Sequence, residues 1–472
     1  VSGRRWFAGL FVCFTALAGA AEPTSPARAE FTRLMNAFNA GDRAVYEKYV
    51  YSRFAPKKRD YAAVNRGLDL FRNSGGLDVL EISEPVANNL QGWVRARDSD
   101  EVQELFFVVD PRLSNQVVLF DVKPGNPPDP YYPKRLSEPT AIQALRENLT
   151  RKAATERFSG AVLVKRGDRV LLREAYGLAD REKKVANRVD SRFRTSSLTQ
   201  MFTAVAVLRL VQDGKLKLDD PIGKYIPAIA RRQLAGARIG ELLSHTSGAG
   251  EAFNVMHDEE LSDMQSHADY VQAFGVDKMP GLPGQFLHSD LGYILLGRVV
   301  DNVSGTDYYQ YVRNVVFKPA GMTRTDSLPE DVAVEGRAVG YDRPAGTRAW
   351  IPAREWIGYR GMAHGGAYST VDDMARFVSA LRANKLLDAG FTDLMLTPKV
   401  QLREGESYGL ATTTRTYWWF GHWIGNSASS HGASAVVWFS PETDYTVIVL
   451  SNFDGPVAQH VGDFITARLP LP

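Results

Sequence analysis

The sequence predicts an α+β protein: an antiparallel sheet covered by helices (an α/β sandwich), preceded by a smaller α+β unit. Three observations point there. Residues 27–123 change from helical to strand-like patterning, a proline-rich stretch follows, and residues 135–472 place strand hairpins near both ends with long helical segments between. Helices followed by a run of strands make the first unit α+β; for the second, the pattern alone leaves α+β or α/β.

In the first unit, FTRLMNAFNAGDRAVYEKYV repeats apolar residues at spacings of three and four, and DYAAVNRGLDLFRNSGG reads as another helix ended by Gly75 and Gly76. LDVLEISEPV, LQGWVRARD, VQELFFVVD and QVVLFDVK then alternate with the period of half-buried strands. Pro124 to Pro133 holds five prolines in ten residues. Such a stretch sustains neither a helix nor a central strand, so residues 124–134 are expected to form a stiff connector. Beyond it a helix is expected around Ala141 to Glu156, then two strands turning at Gly167-Asp168 in FSGAVLVKRGDRVLLREAYGLAD. SAVVWFSPETDYTVIVLSN gives a hairpin near the C-terminus, turning over Pro441 to Asp444.

The chain has 472 residues, enough for one large core and a smaller companion. Charged residues make up 23% and the net charge is +2, so no basic field selects nucleic acid or an anionic membrane as partner. A small neutral or mixed-charge ligand fits better. Arg4 and Arg5 precede an apolar run from Trp6 to Leu17 and the small residues Ala18-Gly19-Ala20. That order is read as a secretory signal peptide over residues 1–20, with a periplasmic or secreted destination. The run is short for a membrane span; an uncleaved anchor is the alternative, and no other stable span is expected. The one cysteine, Cys13, lies in this segment, so neither a disulfide nor a thiolate metal site is expected. No histidine pair has metal-binding spacing and no nucleotide fingerprint occurs, so neither metal nor cofactor is expected.

Specific motifs begin at FRTSSLTQMFTAVAVLRLVQDGKLKLDDPIGKYIP, residues 193–227. LLSHTSG at 242–248, PGQFLHSDLGYILLG at 283–297, FKPAGMTRT at 317–325 and GGAYSTVDDMARF at 365–377 follow, between FSGAVLV at 158 and VIVLSN at 447–452. In this order, over Arg151 to Leu469, they resemble the penicillin-recognising serine hydrolases: class C β-lactamases, D-alanyl-D-alanine carboxypeptidases and related esterases. The resemblance implies a β-lactamase/transpeptidase-like fold for residues 135–472. Residues 27–123 resemble, by pattern alone, the nuclear transport factor-like cone domains.

The resemblance also implies a site. The family's serine stands near a helix N-terminus with a lysine three residues later, one turn away on the same face. A tyrosine and an asparagine separated by one residue enter from a second side, and a Lys-Thr-Gly or His-x-Gly segment on an edge strand closes the third. Here Ser197 holds the nucleophile position and Gln200 the lysine position. His288 replaces the tyrosine and Asp290 the asparagine. Counting back from Pro441 puts the His-x-Gly segment on Asn426-Ser427-Ala428. Gly421-His422 would make the strand too long, and His431-Gly432 would leave too few residues to cross the site. The backbone N–H groups of Ser197 and Ser429 are the expected oxyanion hole.

Two readings of function remain open. An amide at position 200 has no useful basicity and cannot accept the serine proton. The favoured reading is therefore an exported, catalytically impaired member of the family. It would retain a cleft for a small ester, amide or peptide ligand, a cell-wall fragment or a partner protein. The alternative is an active serine esterase or peptidase in which His288 is the base and Asp290 its orienter. His245 is expected to make loop hydrogen bonds only, and His257, His267 and His364 to lie in loops or on helix surfaces. Trp418, Trp419 and Trp423 are read as packing, with an apolar acyl pocket as the other possibility.

Overall fold

The computed structural model describes residues 25–472 except 126, 231, 251–263, 274–279, 345–346, 348 and 354–357. The expected signal segment, Cys13 and His257 lie outside the described residues. The described residues divide into two compact units: those up to Phe71, Leu77–Arg95 and Val102–Pro127 form one, and Arg72–Gly76, Ala96–Glu101 and Pro128–Pro472 the other. The main division falls inside the proline-rich stretch.

In the first unit α1 (Pro26–Asn39), α2 (Arg43–Arg53) and α3 (Tyr61–Ser74) precede a sheet in the order β1 (Leu77–Val86), β2 (Asn89–Ala96), β3 (Val102–Asp110) and β4 (Gln116–Pro124). The expected single helical stretch is broken between α1 and α2 because Gly41 takes a positive φ of 63°, and Asp42 caps α2 by accepting the Val45 N–H. Strand β2 alternates strictly, burying Leu90 and Val94 while its intervening residues stay half-buried.

The second unit is built on an eight-stranded sheet. Its strands are β5 (Gly160–Arg166), β6 (Arg169–Tyr176), β7 (Val400–Arg403), β8 (Glu406–Tyr408), β9 (Thr413–Tyr417), β10 (Gly421–Ser430), β11 (Ala433–Phe439) and β12 (Tyr445–Ser451), in the order β7-β8-β9-β10-β11-β12-β5-β6. Every neighbouring pair is antiparallel. Strands from both ends of the unit therefore meet at the β12–β5 seam, as the two sequence hairpins anticipate.

Helices cover both faces. On one side α4 (Glu138–Ala154) and α8 (Val457–Thr466) pack with Val162, Val164, Trp423, Val436, Trp438, Val447 and Val449. On the other, α5 (Thr199–Gln212), α6 (Asp290–Ser304) and α7 (Val371–Arg382) pack with Ala161, Leu163, Ala435, Val437, Ile448 and Leu450. The same strands supply both sets by parity, so β11 and β12 are buried at all seven positions each and read as unbroken apolar runs. Each fully buried Val or Leu there contributes about 1.5–3 kcal/mol. Helix α5 is apolar nearly all round, with Met201 to Leu208 fully buried, the pattern of a central core helix.

Candidate functional site

Ser197 lies in a 3-10 turn, Ser196–Leu198, immediately before α5. Ser196 has a φ of +47°, a left-handed conformation that costs a side-chain-bearing residue about 1–2 kcal/mol. Its surroundings hold it there. The Ser196 carbonyl accepts the Gly366 N–H at 3.2 Å and the Thr199 hydroxyl at 3.0 Å, and its own hydroxyl meets that of Ser430 on β10. Thr195 N–H donates to Ala367 O at 2.7 Å, so the GGAYS segment also holds the turn. Ser197 is half-buried, and among the described residues its hydroxyl has no hydrogen-bond partner.

Gln200, one turn along, is 1% exposed. Its amide does not bond Ser197; it bridges two other groups. Gln200 Nε2 donates to Asp290 Oδ1 at 3.1 Å, and His245 Nε2 lies 3.2 Å from Gln200 Oε1. The tautomer follows from the far side of the ring. His245 Nδ1 accepts the Ser289 N–H at 3.1 Å, so the ring proton sits on Nε2 and is donated to Gln200 Oε1. Burial, with His288 beside it, holds the His245 imidazole well below the ordinary histidine range, which agrees with a neutral ring. His245 is thus part of this cluster. Its place in LLSHTSG marked only a loop, because its partners arrive from α5 and from the turn before α6.

That turn carries His288 and Asp290. Ser289 caps α6 by accepting the Gly292 N–H at 2.9 Å and donates its hydroxyl proton to Gly250 O at 2.8 Å. Asp290 therefore occupies the first helical position, where unpaired N–H groups favour a carboxylate. His288 Nε2 stands 4.0 Å from Asp290 Oδ1, and its ring packs on that of His245 with centroids 4.6 Å apart. Tyr408, on β8, closes the cluster with its ring 5.2 Å from His245 and 5.3 Å from Phe286. Burial pushes its phenol pKa up.

Strand β10 passes beside the Ser197 turn. Strand β9 pairs with it only as far as Gly425, which leaves the edge of residues 426–430 open. Parity sorts these side chains. Ile424, Ala428 and Ser430 lie on the α5 face, with Asn426 between them, whereas Trp423 joins the opposite core and Ser427 Oγ reaches Gln459 of α8 at 3.5 Å. The Ser427 side chain thus points away from the nucleophile helix, unlike the substrate-binding placement expected from sequence. Ser429 shares its parity, which leaves its backbone N–H as the group to consider. Ser430 pairs with Ala433 across the two-residue turn, so the doubly bonded pair of the antiparallel alternation falls there. Ser429, opposite Ser434, then directs its N–H to the open edge. Ser427 has the same orientation, and Asn426 Oδ1 accepts its N–H at 2.9 Å. Asn426 Nδ2 donates to Ala411 O at 3.4 Å, so this amide is tied to its own strand and the loop beside it.

Trp423 is buried among α4 and α8 residues, and Trp418 and Trp419 pack on Tyr132 with centroids 5.0 and 4.9 Å away, the packing role read for them. One other expectation changes. His267 is 1% exposed rather than on a helix surface. Its Nδ1 faces Asp301 Oδ2 at 3.3 Å, and its Nε2 accepts the Ala363 N–H. No group of three or more metal-ligating side chains occurs among the described residues.

A serine on a strained turn at the start of a buried helix, faced by an open strand edge and by the loop ahead of a second helix, defines the serine β-lactamase class of architecture. The chain belongs to the β-lactamase family, whose model matches residues 145–470. A putative penicillin-binding protein, PbpX, of Bacillus subtilis is 28% identical over 291 residues, covering 60% of this chain and 70% of that protein. Protein flp of Staphylococcus aureus is 30% identical over 191 residues, 40% of this chain and 38% of flp. Among solved structures, a penicillin binding protein from Bacillus halodurans superposes with a TM-score of 0.61 at 27% identity, covering 69% of this chain and 98% of that one. The D-amino acid amidase of Ochrobactrum anthropi, at 23% identity and TM-score 0.59 over 70% of this chain and 97% of its own, shares the fold.

Proposed function

We propose that this chain is an exported β-lactamase-family protein that has kept the cleft and lost the acylation chemistry, so that it binds a small ester, amide or peptide ligand without turning it over. The Gln200 amide carries the reading. It stands where a base is required, accepts from His245 and donates to Asp290, and offers Ser197 no acceptor for its proton. Losing a general base typically removes about 10²–10⁴ in rate. The basic, apolar and small-residue order of residues 1–20 supports the export part, and no helix among the described residues is long and apolar enough to cross a membrane.

The 4.0 Å approach of His288 to Asp290 supports a second reading, in which His288 accepts the Ser197 proton. One experiment separates the two. Mature protein is incubated with a fluorophosphonate and with a penicillin, and Ser197 is followed by mass spectrometry. No adduct, or a slow one unaffected by His288→Ala, is expected. Rapid stoichiometric modification abolished by His288→Ala would establish the second reading and end the first.

A further inference from the structure

The hairpin that joins β9 to β10 has an aromatic tip. Tyr417, Trp418, Trp419 and Phe420 stand in a row, and Tyr417 pairs with Gly421 to close the turn. Trp418 is 70% exposed, the most of any large hydrophobic side chain among the described residues. Tyr132 braces it edge-on, with planes at 76°. Tyr132, Trp419 and Tyr417 form a stack with centroids 4.9 and 5.8 Å apart, so Trp418 is presented outward on a base of other rings.

The polar groups of the tip are directed the other way. Phe420 N–H donates to Tyr417 O at 3.0 Å, Arg135 Nη2 donates to Trp419 O at 2.8 Å, and Trp423 Nε1 donates to Phe420 O at 2.9 Å. Arg135 Nη1 also donates to Thr466 O and Leu469 O, which ties the turn to the end of α8. Three carbonyls of the tip are therefore satisfied from within the protein, as backbone must be before it enters a medium poor in hydrogen-bond partners. A sugar stacked on Trp418 would instead need polar groups aimed outward beside the ring. Strand alternation puts the β9–β10 and β11–β12 turns at one end of the sheet and the Ser430–Ala433 turn, next to Ser196, at the other. Charged side chains at the aromatic end pair with one another, His422 with Glu442 at 2.6 Å and Arg382 with Asp444 at 2.7 Å.

We propose that this tip is a membrane-contact site, with Trp418 entering the headgroup region of a lipid bilayer while the Ser197 turn stays at the far end of the sheet. Trp and Tyr rings favour that region because one end of each is apolar and the other tolerates water. The attraction is aromatic and not ionic, because the neighbouring charges are already paired. One tip gives reversible binding, weaker than the roughly 10⁴ M⁻¹ of a single acyl chain.

The test is co-sedimentation with phosphatidylcholine vesicles at millimolar lipid, with and without phosphatidylglycerol, at low and high salt. The chain is used without residues 1–20, whose apolar run would itself bind lipid. Binding to phosphatidylcholine alone is expected, and it should survive salt. Trp418→Ser should weaken it about fivefold or more, and Val170→Ser, at a 52% exposed position on β6, should leave it unchanged. The wild-type comparison stands without either variant. Binding confined to anionic vesicles and lost in salt, or an equal loss in Val170→Ser, overturns the proposal. So does failure to sediment with any vesicle; retention on chitin beads that Trp418→Ser abolishes would then assign the tip to a glycan.

Discussion

Gln200 Nε2 lies 3.1 Å from Asp290 Oδ1, so the residue one turn beyond Ser197 is engaged by a helix on the far side of the cleft and not by the serine. The amide bridges Asp290 and His245. Gln200→Leu removes a donor from Asp290 and an acceptor from the His245 Nε2–H, both inside the protein. A loss of about 2–4 kcal/mol is expected, since a buried group left without its partner carries its full desolvation cost. Urea midpoints should fall at unchanged slope; a shift below about 0.5 kcal/mol, the size of an ordinary surface substitution, would mean that the bridge is incidental.

If the site has lost its acylation chemistry as proposed, restoring it should need several substitutions together. Gln200→Lys alone is expected to leave fluorophosphonate labelling of Ser197 slow, because the family's tyrosine and strand cation are still absent at positions 288 and 426 and Asp290 would pair with the new ammonium. Gln200→Lys, His288→Tyr and Asn426→His combined should label at least about 100-fold faster than wild type if the scaffold is competent. Equal rates for the single and triple variants would refute this cooperative account.

Gly425 admits no side chain. A Cβ there would stand 1.9 Å from Val437 O on the paired strand, a contact that only a backbone shift at the centre of the sheet relieves. Gly425→Ala should cost about 3 kcal/mol or more and displace the open edge that follows it. A thermal midpoint within a degree or two of wild type would show that β10 yields easily.

Asp454 gives a pH dependence of definite sign. Burial, and then Asp342 beside it, push its carboxyl up to about 6 from 3.8, while its Oδ1 accepts the Arg343 N–H at 3.2 Å. Between those two values the folded chain holds a proton that the unfolded chain releases. Stability from this group is therefore present below about pH 4 and lost as pH rises through 6, at most about 3 kcal/mol in all. Asp454→Asn should remove this component, so the variant gains on wild type between pH 4 and pH 7. A stability difference that is flat across that range would contradict the assignment.

The strands of the first unit and both hairpins of the second were legible because alternation and turn residues are local signals. The fold of the second unit was legible because its motifs recur in order; Ser197, Gln200, His288 and Asp290 were assigned by the family resemblance, and spacing alone gave no sign of the Gln200–Asp290 contact. Tertiary contacts were not legible. His245 and His267 carry no periodic signal that separates a loop histidine from a buried one, and each is defined by groups far away in sequence. The face of Ser427 was a different kind of miss. Strand parity, with Trp423 on one side and Asn426 on the other, was sufficient to assign it.

The seam of the large sheet bears on how the protein is made. Gly160 of β5 pairs with Ser451 of β12, partners separated by roughly 290 residues of chain, so loop-closure entropy must be met before the central strands gain anything from one another. A nascent chain presents β5 and β6 as an orphan hairpin, with the side of β5 that awaits β12 uncovered, until nearly the whole sequence has emerged. Synthesis cannot complete this sheet from its N-terminal end. Until β12 arrives, the edge of β5 carrying Ala161, Val162, Leu163 and Val164 has no strand to pair with on that side.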